Sequence, residues 1–439
     1  MKILFFAPSA YLLGGVQDWL ADLVPGIRRE GHDVTIAVPD GLFHRFESYR
    51  KAYPDLDCIC LRNPTGSQEG RIQSIVHRIL SIQPDLIVGV NIAAIYPAVA
   101  RLRRRGDRIG KLIITLHAIE ADYLRDLREF RSIIDAVVVT NKLTAALVAQ
   151  ESLIPSDRIL YAPYGVNMPV HETPRTNSDR VLRLAWVGRF EQAQKRVHDL
   201  VGILDQLDRL AFPYCLSMVG DGPEATSIKE QIQSWIRSGK VRWLGRLDRH
   251  QLQLQVYVPN DVLLITSSWE TGPIVAWEAM AAGLVVVSSR YVGSGAEGAL
   301  KDGQTALLFP VGDTGAAAAA LARLLDPNLR SSLASAALEM VRCRYSDSAS
   351  LAAWLEAFRT GMDLPALPLD YAELARLAVP AANGRVDRWL GVSMAEHLRR
   401  FLGLTFRHRS AGSEWPHSMH GAADNGRLLA KATEIETHA

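Results

Sequence analysis

"DVLLITSSWETGPIVAWEAMAAGLVVVSS", residues 261–289, decides the fold. It begins with an apolar run, "DVLLITSS", and passes into a loop holding Glu270 and Thr271. A helical stretch follows from Gly272-Pro273 to Gly283, and a second apolar run, "LVVVSS", closes it. Proline suits the first position of a helix, and glycine suits the residue just past its end. Two wholly apolar strands joined by a helix form one repeat of a parallel sheet covered on both faces. Glu278 does not fit that apolar setting. A carboxylate in a buried helix costs several kcal/mol unless it is hydrogen-bonded or paired. Taken alone, its bland reading is a buried structural salt bridge.

The same alternation runs outward in both directions. "KILFF", "DVTIAV", "DLIVGV", "KLIITLH" and "DAVVVT" read as buried strands in the first 140 residues, with helices at 15–30, 69–82, 94–105 and 142–151. "LRLAWVG", "YCLSMVG", "VRWLG", "DVLLITS", "LVVVSS" and "TALLF" form a second series. The expected architecture is α/β: two doubly wound, Rossmann-like domains facing a cleft, with a helical C-terminal extension. The expected divisions are 1–165, a linker at 166–182, a second Rossmann-like domain at 183–345, helices at 346–409 and a loose tail at 410–439. Residues 385–404 read as a single amphipathic helix.

The 439 residues are 48% hydrophobic and 22% charged, with a net charge of +2, so no overall bias toward nucleic acid is expected. Pro8 interrupts the first apolar run, which argues for a β-strand rather than a secretory leader, and no run of about 18 apolar residues appears. The chain is expected to be cytoplasmic. Cys58, Cys60, Cys215 and Cys343 contain no CxxC pair and are expected to be reduced core thiols.

Open parallel sheets bind ligands beyond the carboxyl ends of their strands, so candidate residues are sought in loops that follow strands. Gly272, Pro273 and Ile274 begin a helix there, whose free N–H groups suit an anion. Glu270 lies at the mouth of that site and Glu278 along its wall. In "AWVGRFEQAQKRVHDL", Arg189 follows a strand, and Lys195 and Arg196 come six and seven residues later. Two cations in such a loop are what a diphosphate needs; the alternative is a solvated basic loop. In "MVGDGPE", Gly220, Asp221 and Gly222 form a turn that allows close backbone approach, or simply a good turn. Gly14-Gly15 follows the first strand without a GxGxxG or Walker pattern, which argues against dinucleotide and P-loop chemistry. His117 ends the fourth of these strands and is either a site residue or a packed histidine. "DLD" at 55–57 has the spelling of a metal-binding motif but lies on the approach to a strand, so no metal site and no cofactor are expected.

Together these segments resemble a retaining glycosyltransferase of family 4 with the GT-B architecture, over roughly residues 1–360. The most specific match is Glu270 and Glu278 in the E-x7-E motif. "VGRFEQAQKRVHDLV", "MVGDGPE" and "RREGHDVTIAV" match further signatures in order. The resemblance implies that Glu278 accepts hydrogen bonds from the ribose of a nucleotide donor and that Glu270 sits beside the donor sugar. It implies that Arg189 and Lys195 hold the diphosphate and that the 220–222 turn lies near the base. Gly15 and His117 would approach from the first domain. The implied partners are a UDP- or GDP-sugar and a glycan or lipid-linked acceptor. Thr271-Gly272-Pro273 stands where the family often has Gly-Phe-Gly, and Trp277 is bulky beside Glu278. A sugar-nucleotide epimerase and a non-catalytic sugar-nucleotide sensor are the alternatives on this architecture. For residues 385–409 two readings stand: a helix packed on the core or another subunit, or a basic amphipathic segment on the inner membrane surface.

Overall fold

The computed structural model describes residues 1–8, 15–40, 45–90, 92–168, 181–211, 213–380, 384–405 and 422–437. The chain divides into two compact units: Met1–Ala162 with Leu351–Lys431, and Pro163–Ser350 with Ala432–Ala439.

The first unit carries seven parallel strands: β1 (Lys2–Phe6), β2 (Asp33–Asp40), β3 (Cys58–Arg62), β4 (Leu86–Val90), β5 (Lys111–Leu116), β6 (Ala136–Val139) and β7 (Ile159–Tyr161). Their spatial order is β3-β2-β1-β4-β5-β6-β7. The second unit has six: β8 (Leu182–Val187), β9 (Tyr214–Val219), β10 (Val241–Gly245), β11 (Val262–Ile265), β12 (Val285–Ser289) and β13 (Ala306–Phe309), in the order β10-β9-β8-β11-β12-β13. Each sheet is parallel throughout and doubly wound, as the alternating pattern predicts. Two strands escaped the sequence reading. β3 was placed only as an approach to a strand, and β7 has three half-buried residues, too few to show a pattern.

The second sheet is apolar on both faces because its strands alternate between two cores. Leu182, Leu184 and Trp186 of β8 point into one cluster, and Ala185 points into the other with Leu263, Ile265 and Trp277. The Asp347–Asp363 helix belongs with the first unit from Leu351 onward. Trp354 sets its ring 4.7 Å from Trp19, and Phe358 lies 6.1 Å from Phe5.

Several expectations need correction. The single helix over 385–404 is two, Arg385–Leu390 and Val392–Phe401, broken at Gly391, whose φ of +78° favours glycine. Part of the expected loose tail is the Ala422–Thr437 helix. Most of the expected linker, 169–180, lies outside the described residues. The four cysteines are free, but Cys58, Cys60 and Cys215 are half-buried and Cys343 is exposed, so none is a fully buried core thiol. Asp57 of the "DLD" stretch lies 3.7 Å from Arg28. Among the described residues no helix is long and apolar enough to cross a membrane.

Candidate active site

β8 and β11 are neighbours in the second sheet, yet the chain leaves them in opposite directions, to β9 on one side and β12 on the other. Such a reversal is where loops diverge and ligands bind. Arg189 and Lys195 lie on the loop after β8, and Glu270 lies on the loop after β11.

The two loops are joined by a chain of hydrogen bonds. Trp186 Nε1 donates to Thr266 Oγ1 at 3.1 Å, and the Thr266 hydroxyl donates onward to the Lys195 carbonyl at 2.6 Å. The Ser268 N–H donates to the Gln194 carbonyl at 2.7 Å, and Gln194 Nε2 donates to the Trp269 carbonyl at 3.1 Å. This framework sets Lys195 Nζ 2.6 Å from a carboxylate oxygen of buried Glu270. Ser267 Oγ donates to the same oxygen at 2.5 Å, and Gln194 Nε2 reaches the other at 3.4 Å. Two residues picked out 75 positions apart thus form one ion pair. Arg189 is exposed and pairs with no carboxylate among the described residues.

The helix that follows runs Ile274–Ala281. Pro273 is its N-cap rather than its first residue, and no side chain caps it. Gly272, with φ +93°, makes the turn into it, and Gly283, at +79°, ends it as expected. Glu278 is not left as a bare buried charge. The Tyr257 hydroxyl donates to it at 2.8 Å, and Arg249 Nε lies 3.4 Å away. Burial, and then the Glu278 charge, push the Tyr257 phenol well above its usual range, so it stays a donor. Trp277 turns away from Glu278 into the core and stacks on Tyr345 at 4.4 Å. Tyr257 and Arg249 were missed because they precede β11 and have no local link to the helix.

The Gly220 turn packs against the loop after β8. Phe190 N–H donates to the Asp221 carbonyl and Glu224 N–H to the Phe190 carbonyl, both at 2.9 Å. A Cβ at Gly220 would lie 1.8 Å from the Gly188 carbonyl oxygen, and one at Gly222 would lie 2.4 Å from that of Phe190. Only glycine fits either place. Beside the turn is a cleft of about 500 Å³ whose lining includes Gly220, Asp221, Lys229, Trp243 and Arg246.

The other two predicted residues belong to the first unit. Gly15 begins the helix Gly15–Arg29 after β1, and Gly14 lies outside the described residues. His117 is buried 4.5 Å from the Trp19 ring, with Nε2 3.0 Å from Thr115 Oγ1. Burial lowers its pKa to about 3, so the imidazole is neutral at physiological pH.

One further contact had no sequence signal. Glu436 accepts the N–H groups of Gly295 and Ala296 in the short helix Ser294–Glu297 that follows β12, the second at 3.0 Å.

The family model for glycosyl transferases group 1 matches residues 175–340, and that for glycosyltransferase family 4 matches 13–168. Glycogen synthase of Mycobacterium tuberculosis is 32% identical over 153 residues, which is 35% of each chain. N-acetyl-alpha-D-glucosaminyl L-malate synthase of Bacillus anthracis is 32% identical over 152 residues, 34% of this chain and 37% of that protein. The matched segments thus span about a third of the length of these curated relatives. Among solved structures, Anabaena HepE in complex with UDP superposes with a TM-score of 0.65 at 17% identity, covering 82% of this chain and 100% of that one. With one model on each sheet-bearing half and the fold shared along most of its length, the chain belongs to the group 1 and family 4 glycosyltransferases of GT-B architecture.

Proposed function

We propose that this protein transfers a sugar from a nucleoside-diphosphate sugar to an acceptor hydroxyl in polysaccharide or glycolipid assembly, with retention of anomeric configuration and without a metal ion. The observation that carries the reading is the Lys195–Glu270 pair at the β8–β11 reversal, with Arg189 on the same loop and an uncapped helix start beside it. The donor diphosphate lies against Arg189, Lys195 and the N–H groups at Ile274. Glu278, aimed by Tyr257, receives the ribose hydroxyls. The base lies toward Gly220 and the neighbouring cleft. UDP bound to HepE supports a uridine donor.

In the reaction the bond from the anomeric carbon to the diphosphate oxygen breaks, and the diphosphate leaves with the electron pair. The acceptor oxygen bonds to the same face of that carbon, and its proton passes to the departing diphosphate. Negative charge grows on the leaving group, and Arg189, Lys195 and the helix start stabilise it where a divalent cation would otherwise be needed. Glu270 holds the Lys195 ammonium in place and lies beside the sugar. The family resemblance assigns Gly15 and His117 to the donor sugar and acceptor, and His117 would act there as a neutral hydrogen-bonding group. In this reading the protein works in the cytoplasm, and a lipid-linked acceptor would bring it to the inner membrane face.

The test is thermal unfolding against UDP, GDP, ADP and their sugars without added metal, with Glu278→Ala alongside. A nucleotide at about a hundred times its Kd stabilises by about 2.7 kcal/mol. A shift with one base, lost in the variant, supports the reading and names the donor. No shift with any nucleotide overturns it.

A further inference from the structure

The pair of helices over 384–405 packs inside out. Amphipathic helices normally bury their apolar stripe and expose their charges. Here Asp387 is 4% exposed and Glu396 fully buried, while Trp389 is 84% and Phe401 87% exposed. Val386, Met394, Leu402 and Leu404 are exposed as well.

The buried carboxylates are well supplied with partners. Glu396 accepts from Thr65 Oγ1, 2.8 Å away, from Ser67 Oγ, and from Arg400 Nε at 2.8 Å. Asp387 pairs with Arg399. Nearby, Arg101 grips Glu69 through both nitrogens, and the Ser393 hydroxyl lies 3.5 Å from Glu69. Polar contacts therefore hold this segment to the first unit and leave its apolar residues facing outward. Single exposed leucines are ordinary, but seven exposed apolar side chains within residues 384–405, two of them aromatic, on a segment anchored by its acids mark a docking surface.

The charge on that face selects the occupant. Residues 384–405 contain two acids, both buried and each paired with an arginine, Asp387 with Arg399 and Glu396 with Arg400; Arg385 and Arg388 are exposed and leave the segment positively charged. A self-pairing about a two-fold axis would set these cations against their own copies. An anionic bilayer instead meets arginines with phosphates and accepts Trp and Phe at headgroup depth. The basic stretch 101–111 is a poorer candidate, because Arg101, Arg103, Arg105 and Lys111 are taken up by Glu69, Asp135 and Asp107. We propose that the Arg385–Leu390 and Val392–Phe401 helices are a membrane-surface anchor, seating Trp389 and Phe401 in the interface of an anionic lipid bilayer.

This inference does not depend on glycosyl transfer, and its test is separate. The full chain is pelleted with vesicles of phosphatidylcholine alone, and with vesicles containing about one-third phosphatidylglycerol, at low and high salt. The wild type is expected to bind the anionic vesicles at least about tenfold better than the neutral ones, and less at high salt. The double variant Trp389→Ser, Phe401→Ser removes two side chains that lie mostly in solvent, so the fold should persist. It should lose binding by at least about tenfold, while any nucleotide-induced thermal shift, read in the second unit, stays unchanged. Equal partition of wild type and variant overturns the proposal, as does failure of the wild type to bind. A dimer that the variant dissociates, with no vesicle binding by either protein, also overturns it and assigns the face to contact between copies.

Discussion

Lys195 Nζ and Glu270 lie 2.6 Å apart, on loops that leave two adjacent strands in opposite directions. The pair has two consequences that separate experimentally. Lys195→Ala strands a buried carboxylate, which costs about 3 kcal/mol of stability. It also removes a donor to the leaving group, which lowers turnover by about a hundred- to a thousandfold. The double variant Lys195→Met, Glu270→Gln should recover most of the stability and none of the turnover. Urea midpoints and initial rates read the two effects, and recovery of both together would make Lys195 purely structural.

Tyr257 positions Glu278 without touching a nucleotide itself, in the reading proposed. Tyr257→Phe removes one hydrogen bond to a carboxylate, an interaction of about 2 kcal/mol. The donor KM should rise by about tenfold with kcat nearly unchanged, because ribose binding is the same in the ground and transition states. A fall in kcat at unchanged KM would contradict that role.

Gly220 leaves no room for a side chain. Gly220→Ala puts a methyl group 1.8 Å from the Gly188 carbonyl oxygen at a φ of +136°, so the two loops must separate. The expected loss is about 3 kcal/mol or more. Gly384→Ala meets nothing within 4 Å and should stay within about 0.5 kcal/mol of wild type. Chemical denaturation of both variants checks the contrast.

His117 gives stability a pH dependence of known sign. Its pKa is about 3 when folded, from burial, against 6.5 for an ordinary histidine. Between those values the unfolded chain binds a proton that the folded chain does not. This histidine's favourable balance is therefore full above about pH 6.5 and declines as pH falls, by at most about 1.4 kcal/mol per pH unit. Melting temperatures at pH 7.5, 6 and 5 should fall more steeply for wild type than for His117→Gln. Parallel curves would show that the imidazole protonates readily in place.

Much of the second unit's site could be read from local pattern. Glu270 and Glu278 share one strand–loop–helix segment, so their spacing alone links them. The Lys195–Glu270 contact depends on β8 lying beside β11, and sheet order is a long-range property that no local window contains. The same limit hid Tyr257 as a partner of Glu278. In the extension, apolar residues repeat at helical spacing, but periodicity cannot tell which face is buried. That was decided by partners far away in sequence, Thr65 and Ser67, which meet Glu396. Gly391 split the helix because one residue's left-handed backbone outweighs the pattern on either side.

For the Arg385–Leu390 and Val392–Phe401 helices the usual rules of sequence editing are reversed. A redesign for yield, guided by hydropathy, would first replace Trp389 and Phe401 with polar residues and leave Asp387 and Glu396 alone. It would give a better-behaved protein in the test tube and discard the surface that distinguishes this segment. A tolerance map should show the opposite of an ordinary helix: acids that cannot be exchanged, and aromatics that can be, until a bilayer is present.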